Sequence, residues 1–108
     1  MRIFRKIKRL IGGTYFVHKK ALEMIELQNS QSLLDIGCGK GDIIESLHRK
    51  YGNKVSLFGV DPSPDAIWQA KENEFKTDSN SNIKFKVAIA EDLPFPSDSF
   101  DFVVSIIM

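Results

Sequence analysis

The chain has 108 residues, 43% hydrophobic and 27% charged, the composition of one soluble globular domain. No stretch reaches the roughly 20 apolar residues needed to cross a bilayer, and no small-residue cleavage site accompanies the apolar patch from Ile11 to Val17, so a cytoplasmic, uncleaved protein is expected. Cys38 is the only cysteine, which excludes an intramolecular disulfide and a cysteine-built metal cage; only His18 and His48 could otherwise help bind a transition metal, and no metal site is expected.

The formal net charge of +1 conceals two unlike parts. Residues 1–20 carry seven Lys and Arg and no acid, whereas the remainder carries eight Lys and Arg against fourteen Asp and Glu, giving +7 and −6. Ile3, Ile7, Leu10 and Ile11 recur at helical spacing among Arg2, Arg5, Lys6, Lys8 and Arg9, which predicts a short basic amphipathic helix within a basic helical segment over residues 1–31. Through residues 2–9 such a segment could meet an anionic membrane surface or RNA, which would allow a peripheral membrane location; the plainer reading is that its charges are simply solvated. No stable protein partner is inferred.

After Gly12-Gly13, Phe16, Leu22, Met24, Ile25 and Leu27 follow a mostly helical pattern between Tyr15 and Gln28, and Asn29 to Ser32 reads as a connector. From Leu33 the rhythm changes. LLDIG is a short buried strand, and GDIIESLHRKYG places Ile43, Ile44 and Leu47 on one helical face before Gly52-Asn53 ends it. KVSLFGVD repeats the strand, and SPDAIWQAKENEF opens a helix with Ser63 as N-cap, Pro64 at the first helical position and Asp65 at the positive helix end. After the polar run Lys76 to Asn82, IKFKV alternates Ile83, Phe85 and Val87 with Lys84 and Lys86, as an edge strand does. FDFVVSIIM is apolar on both faces, as an interior parallel strand is. Strands alternating with helices predict an α/β, Rossmann-like, doubly wound parallel sheet, here stopping after its fourth strand and preceded by N-terminal helices.

LLDIGCGKGD sets Gly37, Gly39 and Gly41 at alternate positions where a strand turns into a helix. Glycines there let the backbone approach a ligand and leave N–H groups near a helix N-terminus, so a polar or anionic ligand is expected. The dinucleotide fingerprint G-x-G-x-x-G needs its third glycine one position later, and a P-loop needs Ser or Thr after the lysine, where Lys40 is followed by Gly41. Asp61 ends the second strand 24 residues after Gly37. An acid about 20 residues past such a turn can accept hydrogen bonds from both ribose hydroxyls, which implies a nucleoside.

Taken together, LLDIGCGKGD, FGVDPSPDAI and VAIAEDLPFPSDSFDFVVS resemble, in order and separation, the first three motifs of class I S-adenosylmethionine-dependent methyltransferases, of the type with an AEDLPFPxxSFD segment. The resemblance covers residues 33–108. It implies S-adenosylmethionine as cofactor, with Gly37, Cys38 and Gly39 cradling the methionyl part, Asp35 near its amino group and Gly41 opening the helix. It further implies Asp61 on the ribose, Pro62 and Ser63 against adenine, and Ala90, Glu91, Asp92 and Leu93, within the segment to Phe95, closing over the adenine edge.

Two departures accompany it. Many relatives carry Asp before the alanine of that last loop, where this chain has Ile89. Relatives also continue for three more strands and complete a seven-stranded sheet, so the expectation is a fragment whose last strand, Phe102 to Ile107, presents an unpaired edge. Methyl transfer to a small-molecule, lipid or quinone-like acceptor is implied, with no residue assignable as general base: Cys38 reads as a small loop residue, and His18 and His48 as ordinary helix residues. The alternative is a non-catalytic cofactor-binding or interaction protein with a shortened fold of this type.

Overall fold

The computed structural model describes residues 7–11, 14–77, 81–96 and 98–107, with side-chain surroundings for 19–73, 81–96 and 98–105. In chain order the elements are β1 (Ile7–Ile11), α1 (Thr14–Met24), β2 (Ser32–Ile36), α2 (Asp42–Tyr51), a single 3-10 turn at Gly52–Lys54, β3 (Ser56–Asp61), α3 (Pro64–Thr77), β4 (Ile83–Val87) and β5 (Phe102–Ile107). All pairings are parallel, in the order β1-β5-β2-β3-β4. From β2 the chain steps outward through β3 to β4, then crosses back to lay β5 on the other side of β2. This reversal is the topological switch of a Rossmann-like sheet, the place where such sheets open a crevice at the carboxyl ends of their strands.

The two sheet faces are covered differently. Leu33, Leu57, Ile83, Phe85, Phe102 and Val104 meet Ala21, Ile43, Ile44, Leu47, Ile67 and Ala70 of the three helices in one buried cluster. Leu34, Val60 and Val103, of opposite parity along the strands, pack with Phe100 and the half-buried Phe58, Ala88, Leu93 and Phe95 in a second cluster, covered by the chain between β4 and β5. Period-two alternation thus sends successive strand residues into two separate cores. Among the described residues the two cores bury most of the apolar strand side chains, whose removal from water is worth about 1.5–3 kcal/mol each.

The ends of the elements follow local chemistry. The Ser63 hydroxyl accepts the Ala66 N–H at 3.2 Å, and Pro64 begins α3, as the sequence indicates. In α1 the helix stops at Met24, four residues short of the expected end. Beyond it Ile25 and Leu27 are buried, and the Tyr51 hydroxyl accepts the Leu27 N–H at 3.0 Å while lying 3.5 Å from the Ile25 carbonyl. One tyrosine at the end of α2 thereby satisfies backbone groups that a longer helix would have paired internally.

The N-terminal helix expected from Ile7, Leu10 and Ile11 is not what forms: Ile7–Ile11 is a strand, paired with β5 in the register Ile7↔Val103 to Ile11↔Ile107. Ile3 and residues 1–6 lie outside the described residues. The same pairing corrects the expected open edge, because β5 is flanked by β2 and β1 and is interior. Both corrections share one cause. β-Branched Ile7 and Ile11 tolerate extended backbone, and an adjacent row of unpaired β5 donors and acceptors overrides a short helical spacing that local sequence alone suggests.

Candidate functional site

The loop Gly37–Gly41 leaves β2 at the switch point. Gly37, Gly39 and Gly41 have φ of 78°, 57° and 90°, a left-handed backbone that side chains disfavour. A Cβ on Gly37 or Gly39 would meet nothing within 4 Å, so both glycines border open space, whereas one on Gly41 would lie 3.0 Å from the Phe85 ring. Gly41 is therefore a packing glycine, and Gly37 and Gly39 line a shelf.

The shelf hangs on β3. Gly37 and Cys38 donate their N–H groups to the Val60 carbonyl at 2.8 and 2.9 Å. Gly39 donates to Asp61 Oδ2 at 2.9 Å, and Ser63 donates to Asp61 Oδ1 at 2.9 Å. The half-buried Asp61 carboxylate thus joins the glycine loop to the start of α3. Two N–H donors leave it further lone pairs, since a carboxylate offers about four acceptor positions.

Asp35, on β2 just before the loop, is 2% exposed, and its Oδ1 has no hydrogen-bond partner. Burial, and then the neighbouring charge of Asp61, push its carboxyl up to about 8. Burial thus holds the carboxyl neutral in the free chain, and a cationic group brought against it would favour its ionised, accepting form. Burial, followed by the charges of Asp35 and Asp61, also raises the Cys38 thiol, which keeps it protonated and a poor nucleophile.

The third segment arrives beside Asp61. Asp61 pairs with Val87 in register, and Ala88 donates its N–H to the Asp61 carbonyl at 3.1 Å. Ile89 and Asp92 then close a short antiparallel turn, which leaves Ile89, Ala90, Glu91 and Asp92 exposed. Leu93 and Phe95 turn inward instead. Phe95 packs edge-to-face on Phe58 and Phe100, with centroids 4.7 and 4.9 Å apart, and pins the loop to the sheet. At the far end Asp101 accepts the Ser32 N–H at 2.9 Å and returns its own N–H to the Ser32 carbonyl, fixing where β5 begins.

The structure therefore gathers Asp35, Gly37, Cys38, Gly39, Asp61, Pro62 and Ser63 at one end of β2 and β3, with Ala90, Glu91 and Asp92 on the adjoining turn. Gly41 packs against Phe85 and Ala70, and Leu93 joins the core on the opposite face of the sheet. Sequence reading missed Gly59, Phe85 and the Phe58–Phe95–Phe100 trio. Phe95 and Phe100 had a signal in the aromatic spacing of PFPSDSFDF, whereas Phe58 and Gly59 sit in a strand where only the contacts of their neighbours mark them. Among the described residues no group of three or more His, Cys, Asp and Glu is placed to hold a metal, and no helix is long and apolar enough to cross a membrane.

A parallel sheet reversing at β2, a glycine shelf at that point and an acid at the end of the next strand define a Rossmann-like domain of the class I S-adenosylmethionine-dependent methyltransferase type. Residues 33–108 match the family described as Methyltransferase domain, and the chain belongs to it. The chain is 38% identical over 76 residues to the ubiquinone/menaquinone biosynthesis C-methyltransferase of Rickettsia bellii, covering 68% of this chain and 31% of the relative. It thus spans about a third of the length of the curated relatives it matches.

Solved structures that share the fold include the following two. A Haemonchus contortus phosphoethanolamine N-methyltransferase in complex with S-adenosyl-L-methionine has a TM-score of 0.70 and 27% identity, over 82% of this chain and 20% of that one. A Haloferax volcanii methyltransferase has a TM-score of 0.67 and 31% identity, over 81% of this chain and 36% of that one, and was solved in complex with a methyltransferase activator. That complex corrects the expectation of no stable protein partner, because a domain of this fold and similar sequence does form one.

Proposed function

We propose that the shelf binds S-adenosylmethionine and that the full protein transfers its methyl group to a small-molecule acceptor, a quinone-like ring being the reading that the quinone-biosynthesis relative favours. The observation that carries the cofactor reading is the pairing of open space over Gly37 and Gly39 with a buried, unpartnered Asp35 oxygen. The residues fit the group. Asp35 would take the amino group, Gly37, Cys38 and Gly39 the methionyl chain, and Asp61 the ribose hydroxyls through its remaining lone pairs. Pro62, Ser63 and the turn Ala90 to Asp92 would flank the adenine, with Leu93 and Gly41 holding the walls in place. The AEDLPFPSDSFD segment supports the narrower subgroup that carries this motif.

S-adenosylmethionine supplies an already activated methyl on a sulfonium, so the protein's task is to orient the acceptor and exclude water. No residue of this chain is assigned as general base. Ile89 stands where an Asp would accept a bond from the adenine amino group, leaving that recognition to Glu91, Asp92 or backbone groups of the turn.

The test is calorimetry of S-adenosylmethionine against the full chain and its Asp61→Ala variant. Each charge-assisted bond is worth about 1.5–3 kcal/mol, so loss of the ribose contacts weakens binding by at least about tenfold. Equal affinity for the two proteins would overturn the assignment. Binding without transfer to any quinone-like or other small-molecule acceptor would favour the non-catalytic alternative.

A further inference from the structure

We infer that Gly59 is a positioning residue for the cofactor: the notch it leaves in β3 seats the Cys38 side chain and the Phe85 ring and so sets the height of the glycine shelf. This rests on the reading of the shelf as the cofactor cradle. Gly59 does not have the left-handed φ of the loop glycines, so backbone conformation does not demand glycine there. Sterics do. A Cβ on Gly59 would lie 2.8 Å from Cys38 Sγ and 2.8 and 2.9 Å from Phe85 Cδ1 and Cε1, closer than real Cβ atoms approach.

The surroundings give neither neighbour an easy retreat. Cys38 and Phe85 are both buried, at 8% and 9% exposure, and Gly59 pairs in register with Phe85 on one side and Asp35 on the other. The Phe85 ring also reaches beneath Gly41, at 3.0 and 3.2 Å from the Cβ position there. One ring therefore touches both the strand notch and the far end of the loop. Above it, the loop is tied by the N–H groups of Gly37 and Cys38 to Val60 and by that of Gly39 to Asp61. Hung from β3 by three donors and resting through the Cys38 side chain in the notch, the loop has one elevation. A methyl group in the notch lifts Cys38 and tilts the three donors, moving Gly37 and Gly39 relative to Asp61.

Cys38 is the only cysteine, so its labelling by a maleimide reads this seat directly. In the full chain, Gly59→Ala is expected to speed labelling and to weaken S-adenosylhomocysteine binding in calorimetry by about tenfold, the scale of overpacking strain passed to a binding loop. Cys38→Ala in the Gly59→Ala background removes the clashing sulfur while leaving the Phe85 contacts, and is expected to restore part of the affinity, a rescue that general destabilisation would not give. Unchanged labelling, unchanged affinity, or a loss that Cys38→Ala does not relieve would each overturn the inference. If Gly59→Ala fails to fold, Phe85→Leu tests the same seat from below, with several-fold weaker binding expected at unchanged circular dichroism; equal affinity overturns it. An unmutated chain that binds no S-adenosylhomocysteine refutes the cofactor reading instead, and the labelling experiment still reports on the seat.

Discussion

Asp61 and Asp35 stand at the ends of adjacent strands in opposite circumstances. Asp61 is half-exposed and accepts two backbone N–H bonds, whereas Asp35 is enclosed by β3 and β5 with one oxygen unpartnered. Burial first, and Asp61 second, raise the Asp35 carboxyl from 3.8 to about 8, so between those values the folded chain holds a proton that the unfolded chain has lost. Stability from the neutral carboxyl is thus complete below about pH 4 and is lost as pH rises through about 8. Thermal unfolding of the free chain at pH 5, 7 and 9 should show this fall, on the order of 5 °C or more. Asp35→Asn, which cannot ionise, is expected to flatten the profile and to melt above the unmutated chain at pH 9; two parallel profiles would refute the role of burial. The sequence marks Asp35 by its place ahead of the glycines, but its isolation depends on strands contributed from elsewhere in the chain.

The segment between β4 and β5 is an element without regular structure, held by three rings. Phe58 comes from β3, while Phe95 and Phe100 come from the segment itself, so the rings tie its start and finish to the sheet. Phe95→Ala removes the middle ring, which contacts both others. Because Phe95 is only half-buried, the expected cost is about 2 kcal/mol, below the 3–5 kcal/mol of a fully buried phenylalanine. Limited proteolysis should then cut between residues 88 and 99 faster than in the unmutated chain, and an unchanged rate would dismiss the clamp. The regular elements were far more legible than this one. Ile43, Ile44 and Leu47 carry the period of α2, Ser63-Pro64 marks the start of α3, and the alternation of Ile83 and Phe85 with Lys84 and Lys86 identifies β4, because each signal is local. The early end of α1 depends on Tyr51, and the seat at Gly59 on Cys38 and Phe85, partners that no local window contains.

Across the whole molecule, the first described strand lies beside the last, so β5 is covered on that side by a contact between distant parts of the sequence and β1 takes the edge. The contact orders β5, and β5 in turn flanks β2 and its buried Asp35 through the pair Asp35↔Val104. Integrity of the shelf is therefore linked to β1 through β5. Without β1, one edge of β5 would present unpaired N–H and C=O groups along an apolar sequence, the feature that templates association between chains. Deleting residues 1–11 from this chain is expected to lower the melting temperature and to produce concentration-dependent oligomers in sedimentation velocity. A synthetic peptide of residues 1–11, supplied in excess, should reoccupy the edge and return the shortened chain to a single small species. A shortened chain that stays monomeric at the original melting temperature would show that β5 does not need this partner. Oligomers unaffected by the peptide would place the association elsewhere on the surface.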